Sequence, residues 1–118
     1  MNSTFIIYDT EYWTAEGAPS RCWNGIYDQP PLLIQIGAFK IAATKSLPIL
    51  GEYTSHIVPR DAEGHQVEIT KFFTELTRIT PEDIVLKGKS LERVMDEFRQ
   101  FCGNDRLYSF GYDMLRTI

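Results

Sequence analysis

A chain of 118 residues, 43% hydrophobic and 13% aromatic, is sized for one folded domain with a real core and is too apolar to be disordered. Its net charge of −4 gives no general attraction to nucleic acid or to an anionic membrane, so any nucleic-acid chemistry needs bound metal or a local basic patch. Cys22 and Cys102 are too few and too far apart for a disulfide framework or a zinc site, and no apolar run reaches the length of a membrane span. Met1 leads almost directly into a strand pattern, so the expected setting is reducing and cytoplasmic, without membrane association.

The first element is the run Phe5, Ile6, Ile7, Tyr8, which ends in Asp9, Thr10 and Glu11. Side chains alternate along a strand, so Asp9 and Glu11 share the face of Phe5 and Ile7. This predicts a central buried strand tipped with paired acids. Like charges that close resist joint ionisation when buried, and a divalent cation relieves the conflict. Oxygen ligands of this kind suit Mg²⁺ or Mn²⁺, which keep several waters and accept a phosphate. An isolated D-x-E is more often a strand tip with two solvated acids, so the remaining elements must decide.

Residues 14–31 are rich in Gly, Pro, Asn and Asp and predict a long ordered loop. Tyr12, Trp13, Trp23 and Tyr27 are interleaved with it. They either seal the edge of the core or, for Trp13 above all, stack on bases. Residues 32–42 predict a strand, within which Gly37 suggests close approach by a neighbour. After a turn over 44–48, alternation over 49–58 predicts a second strand, stopped by Pro59 and pairing antiparallel with the first.

From Gln66 the period becomes helical, with Ile69, Phe72, Phe73 and Leu76 on one stripe, and the helix is expected to end near Arg78. Thr80, Pro81, Glu82 and Asp83 start a short helix through about Leu86. Ser90 caps a longer one, whose Leu91, Val94, Met95, Phe98, Phe101 and Cys102 make an apolar stripe closed by Gly103 and Asn104. Residues 106–110 then predict a strand, and 111–115 a turn entering a helix that carries Asp113. A helix before this strand allows a parallel crossover onto the first strand, which brings both sets of acids to one sheet edge. By itself Asp113 is more simply an ordinary acid at a helix N-terminus. The fold class is α/β: a mixed sheet of three antiparallel strands and a parallel fourth, with packing helices.

The combination YDTE, PLLIQIGAFKI and YSFGYDM resembles the DEDD, or DnaQ-like, family of 3′→5′ exonucleases, which has the ribonuclease H-like fold. Asp9 and Glu11 match that family's first motif, and Asp113 matches the acid of its second. Residues 75–80 look like the family's L-T-G-I-T segment, with Arg78 where Gly is usual. The resemblance implies a phosphodiesterase that uses two divalent cations, Mg²⁺ or Mn²⁺, about 4 Å apart. Asp9 would contact both, Glu11 would bind the first and orient the attacking water, and Asp113 would reach the second. Thr10 and Tyr12 would touch the last nucleotide through their backbones, with Trp13 beside them. Leu76 and Thr77 would line the terminal base. The implied partner is the 3′ end of single-stranded RNA or DNA, with RNA slightly favoured.

The family's third motif, a His or Tyr ahead of a last Asp, does not follow Asp113. The expectation is therefore a single domain over 1–118, incomplete at its C-terminal side and weakly active or inactive. An open sheet edge beside 106–110 would then favour self-association. His56 and His65 are expected to be structural. The competing reading is a non-catalytic module on the same fold that binds nucleic acid or protein. An unrelated α/β domain with incidental acids is the third.

Overall fold

The computed structural model describes residues 3–109. In chain order these form β1 (Thr4–Tyr12), a 3-10 turn (Pro19–Arg21), β2 (Leu33–Ala42), β3 (Ile49–Ile57), α1 (Lys71–Thr77), α2 (Pro81–Lys87), β4 (Gly88–Lys89), α3 (Leu91–Cys102) and β5 (Arg106–Tyr108). The sheet runs β4-β3-β2-β1-β5. Strands β1, β2 and β3 are antiparallel neighbours, whereas β5 returns parallel to β1 with Phe5 opposite Arg106 and Ile7 opposite Tyr108. This is the mixed α/β sheet that the crossover argument requires. The two-residue β4 adds a further parallel edge, with His56 opposite Gly88.

Alternation along β1 sorts its two faces. Ile6, Tyr8 and Thr10 are buried, while Phe5 and Glu11 are half-buried and Ile7 and Asp9 exposed. Helix α3 covers the first face, where Val94, Phe98 and Cys102 join Ile6, Tyr8, Ile36, Ala38 and Ile57 in one cluster. The Tyr8 and Phe98 rings meet edge to face at 5.5 Å, and the Tyr53 hydroxyl donates to Glu97 at 2.9 Å. Burying a side chain of this size is worth about 1.5–3 kcal/mol, so this face holds the helix without further help. Ser90 caps α3 by accepting from the Arg93 amide.

A second cluster gathers at the end of the sheet where β1 finishes. Trp13, Ile34, Val67, Ile69, Phe73, Ile79 and Ile84 form it, with α1 and α2 supplying the helical members. Thr80 and Asp83 close a reciprocal capping box at the start of α2. At the opposite end, Asp105 staples β5 to its neighbours. It accepts from the Thr4 hydroxyl at 2.6 Å and pairs with Lys40 at 3.3 Å.

The structure corrects several expectations. The helix expected from Gln66 begins only at Lys71, because Val67 donates its amide to the Pro59 carbonyl, Gln66 bridges to Arg60, and Thr70 caps the first turn. Val67 and Ile69 are thus buried from extended chain, and Leu76 is 65% exposed. Strand β1 is not buried on both faces, since Ile7 is 40% exposed. Gly37 marks open space and not a close approach among the described residues: a methyl group there would meet only the Thr54 hydroxyl, at 3.9 Å. Phe110 and the turn and helix start that carry Asp113 lie outside the described residues. No helix of the described residues is long and apolar enough to cross a membrane.

Candidate functional site

The strand pairing aligns two rows of side chains across the face that carries Asp9. Asp9 lies opposite Gly37, which lies opposite Thr54. One step along, Glu11 lies opposite Gln35 and Gln35 opposite His56. Residues directly opposite each other in an antiparallel pair share a face. The two carboxylates are therefore brought to one surface, and glycine leaves the ground next to Asp9 bare. The Asp9 carboxylate accepts from the following Thr10 amide at 3.0 Å, which fixes its orientation on the strand.

The second row ends in a neutral base. Partial burial lowers the pKa of His56, against the pull of the Asp83 carboxylate on α2. Its Nε2 stands 3.3 Å from Gln35 Nε2. The amide can only donate from that nitrogen, so the neutral imidazole accepts. This pair was not evident in the sequence. Its signal is the register between β2 and β3, which exists only once the strands are paired.

Trp13 has the sealing role. It is 3% exposed, donates its indole N–H to the Glu68 carbonyl at 3.1 Å, and bonds through its amide to the Leu32 carbonyl at 2.7 Å. A stacking face for a base is not presented, because the large apolar ring has been spent on the second core cluster. Trp23 backs it, donating its own indole N–H to the Trp13 carbonyl. Thr10 is buried and Tyr12 half-buried.

The same cluster positions the segment that would line a terminal base. The Thr70 hydroxyl donates to the Thr14 carbonyl at 2.7 Å, tying the start of α1 to the chain just after β1. Leu76 is exposed near the end of that helix. The Thr77 hydroxyl turns back instead, donating to the Phe73 carbonyl and accepting from the Ile79 amide. In the loop over 14–31, Arg21 grips the Asp28 carboxylate through two hydrogen bonds, 3.0 and 2.8 Å, and holds its pKa below the ordinary range.

Among the described residues no three His, Cys, Asp or Glu side chains converge as metal ligands, and Asp113 lies outside them. Asp9 and Glu11 nevertheless supply the hard oxygen donors that a divalent cation prefers, beside a position without a side chain.

No protein-family model matches the chain. Over 100 residues, 85% of its length, the chain is 32% identical to the DNA polymerase III PolC-type of Streptococcus pneumoniae, and it spans 5% of that protein. Among solved structures it is similar to E. coli exonuclease I in complex with a 5cy-dT13 oligonucleotide, with a TM-score of 0.60 and 18% identity over 98% of this chain and 22% of that one. An ExoI/SSB-Ct complex gives 0.61 at the same identity and coverage. The chain thus spans about a fifth of the solved relatives and a far smaller share of the curated ones. The likeness is one of fold: the five-stranded mixed sheet with its helices matches the ribonuclease H-like exonuclease fold.

Proposed function

We propose that this chain carries the catalytic carboxylates of a 3′→5′ exonuclease, which hydrolyses phosphodiester bonds at the 3′ end of single-stranded nucleic acid. The observation that carries the reading is the placement of Asp9 and Glu11 on one open face at the end of β1, next to Gly37. Asp9 and Glu11 would hold Mg²⁺ or Mn²⁺, with Asp113 as the third carboxylate. When bound, such ions stabilise the charge that develops on the phosphoryl oxygens. The chain's own part is positional. The Thr10 amide orients the Asp9 carboxylate, the backbones at Thr10 and Tyr12 meet the last nucleotide, and Glu11 orients water. Exposed Leu76, with Thr77 behind it, offers apolar surface to the terminal base, a contact that buried Trp13 does not make.

The relatives shift the preferred substrate. One is named a DNA polymerase and another holds a deoxythymidine oligonucleotide, so single-stranded DNA comes before RNA in this proposal. The test is Mn²⁺-dependent release of nucleotides from 3′-labelled single-stranded DNA and its RNA counterpart. Asp9→Ala and Glu11→Ala are each expected to lower the rate about 100-fold or more, since each removes several kcal/mol of transition-state stabilisation. Release that persists in both variants would refute the site. Absence of release in the unaltered chain calls for the same assay on a chain extended past Ile118: recovered release upholds the nuclease reading, and continued silence favours the non-catalytic binding module.

A further inference from the structure

An open groove of about 580 Å³ runs along the β3–β4 edge, lined among others by Thr54, His56, Lys87, Lys89 and Arg93. Three cationic side chains within seven residues face one groove in a protein of net charge −4. The two-residue strand β4 is the device that gathers them, because pairing Gly88 and Lys89 with His56 and Ile57 turns the α2–α3 connection against the sheet. We propose that this groove takes the phosphodiester groups of the substrate strand, on the nucleotides 5′ to the one held at Asp9. The proposal rests on the nuclease reading of Asp9 and Glu11.

The charge balance favours an anion. Glu97 accepts from Lys89 at 3.0 Å and from Arg93 Nε at 3.2 Å, so one carboxylate holds two cations in place and cancels one of them. Lys89, then the Tyr53 hydroxyl and Arg93, hold the Glu97 pKa below its ordinary value, so it stays ionised. A guanidinium has five N–H donors, and the bond from Nε leaves the terminal nitrogens for a phosphate. Lys87 is exposed and makes no ion pair within 4 Å among the described residues. Asp83 accepts from the Thr80 amide in the α2 cap and stays charged near Lys87, so the three cations outnumber Glu97 and Asp83 by one. His56, with its lowered pKa, contributes hydrogen bonding and no charge at neutral pH.

The path between the two places is short and bare. Asp9, Gly37 and Thr54 form one row across three adjacent strands, and Thr54 lines the groove. Two strand spacings amount to about 10 Å. Nothing taller than glycine stands between the carboxylate and the groove along that row.

The probe is 5′-labelled dT12, titrated by fluorescence anisotropy without divalent metal so that no turnover occurs, at several salt concentrations. The double variant Lys87→Gln/Arg93→Gln is expected to bind about five- to tenfold more weakly at low salt. Its slope of log affinity against log salt should be shallower by about 1.4, two contacts at roughly 0.7 each for a single strand. The charge-keeping pair Lys87→Arg/Arg93→Lys should restore both, which a packing role would not. An unchanged affinity and slope in the glutamine variant would overturn the groove, as would failure of the unaltered chain to bind dT12. Neither result touches Asp9-dependent nucleotide release, which judges the nuclease reading separately.

Discussion

Arg78 ends α1 at φ +68°, in the left-handed region, and donates its amide to the Thr74 carbonyl at 2.7 Å. A side chain at such a position costs about 1–2 kcal/mol, most of which glycine avoids. The departure from the L-T-G-I-T pattern therefore falls on a helix C-cap, where the usual glycine has a conformational reason. Arg78→Gly is expected to stabilise the chain by about 1 kcal/mol, read as a higher urea midpoint at an unchanged slope. A lower midpoint would mean that the Arg78 side chain makes a contact worth more than the strain. Legibility in the sequence varied at this scale for a physical reason. The shared face of Asp9 and Glu11 follows from alternation over three residues and needs no distant partner. The fate of Trp13 depended on the Glu68 carbonyl and on Ile34, far along the chain, and no local pattern announces that.

Two glycines in the sheet show how an element's surroundings decide a substitution. A methyl group on Gly88 would press into the Ile84 carbonyl, which already accepts from the Gly88 amide, and stand 2.7 Å from Val58 Cγ2. Gly88→Ala is expected to cost about 1–3 kcal/mol in urea unfolding and to loosen α2 from β3. Gly37→Ala, meeting only the Thr54 hydroxyl, should leave stability within about 0.5 kcal/mol, and a large loss there would show that the face beside Asp9 is occupied. The elements themselves were mostly legible. Capping residues at Thr80 and Ser90 placed both later helices, since caps act within one turn. The span over 66–70 misled because Ile69 falls three and four residues before Phe72 and Phe73, a helical spacing, although it is buried from extended chain ahead of the Thr70 cap. Strand β4 left no pattern because two residues are too few for a period.

For the whole molecule, the two thiols report on packing. Cys22 is exposed, whereas Cys102, on the sheet-facing side of the last turn of α3, is buried and its pKa is pushed up from 9.0 to about 11 by burial. In the native chain at pH 8 one thiol should react with an aromatic disulfide reagent, and the second only after denaturant is added. The native state keeps the Cys102 proton where the unfolded chain loses it. The associated stability is present below pH 9 and is lost as pH rises towards 11. The urea midpoint should fall across that interval, and less so in Cys102→Ala; equal falls would remove Cys102 as the cause. The order β3-β2-β1-β5 was legible at this scale, because a helix ahead of the last strand allows a parallel return beside β1, whereas the β4 edge was not.

That return has a consequence for how the chain is made. The hydrogen bond from Thr4 to Asp105 joins residues 101 apart, so β1 leaves the ribosome well before β5, its parallel partner. At about 5–20 residues per second, roughly 5–20 s separate the two ends of that bond on the ribosome. During this interval β1 can pair with β2 but not with β5. The β1–β2 pairing that sets Asp9 opposite Gly37 is therefore available early, and pairing with β5 is the late step of high contact order.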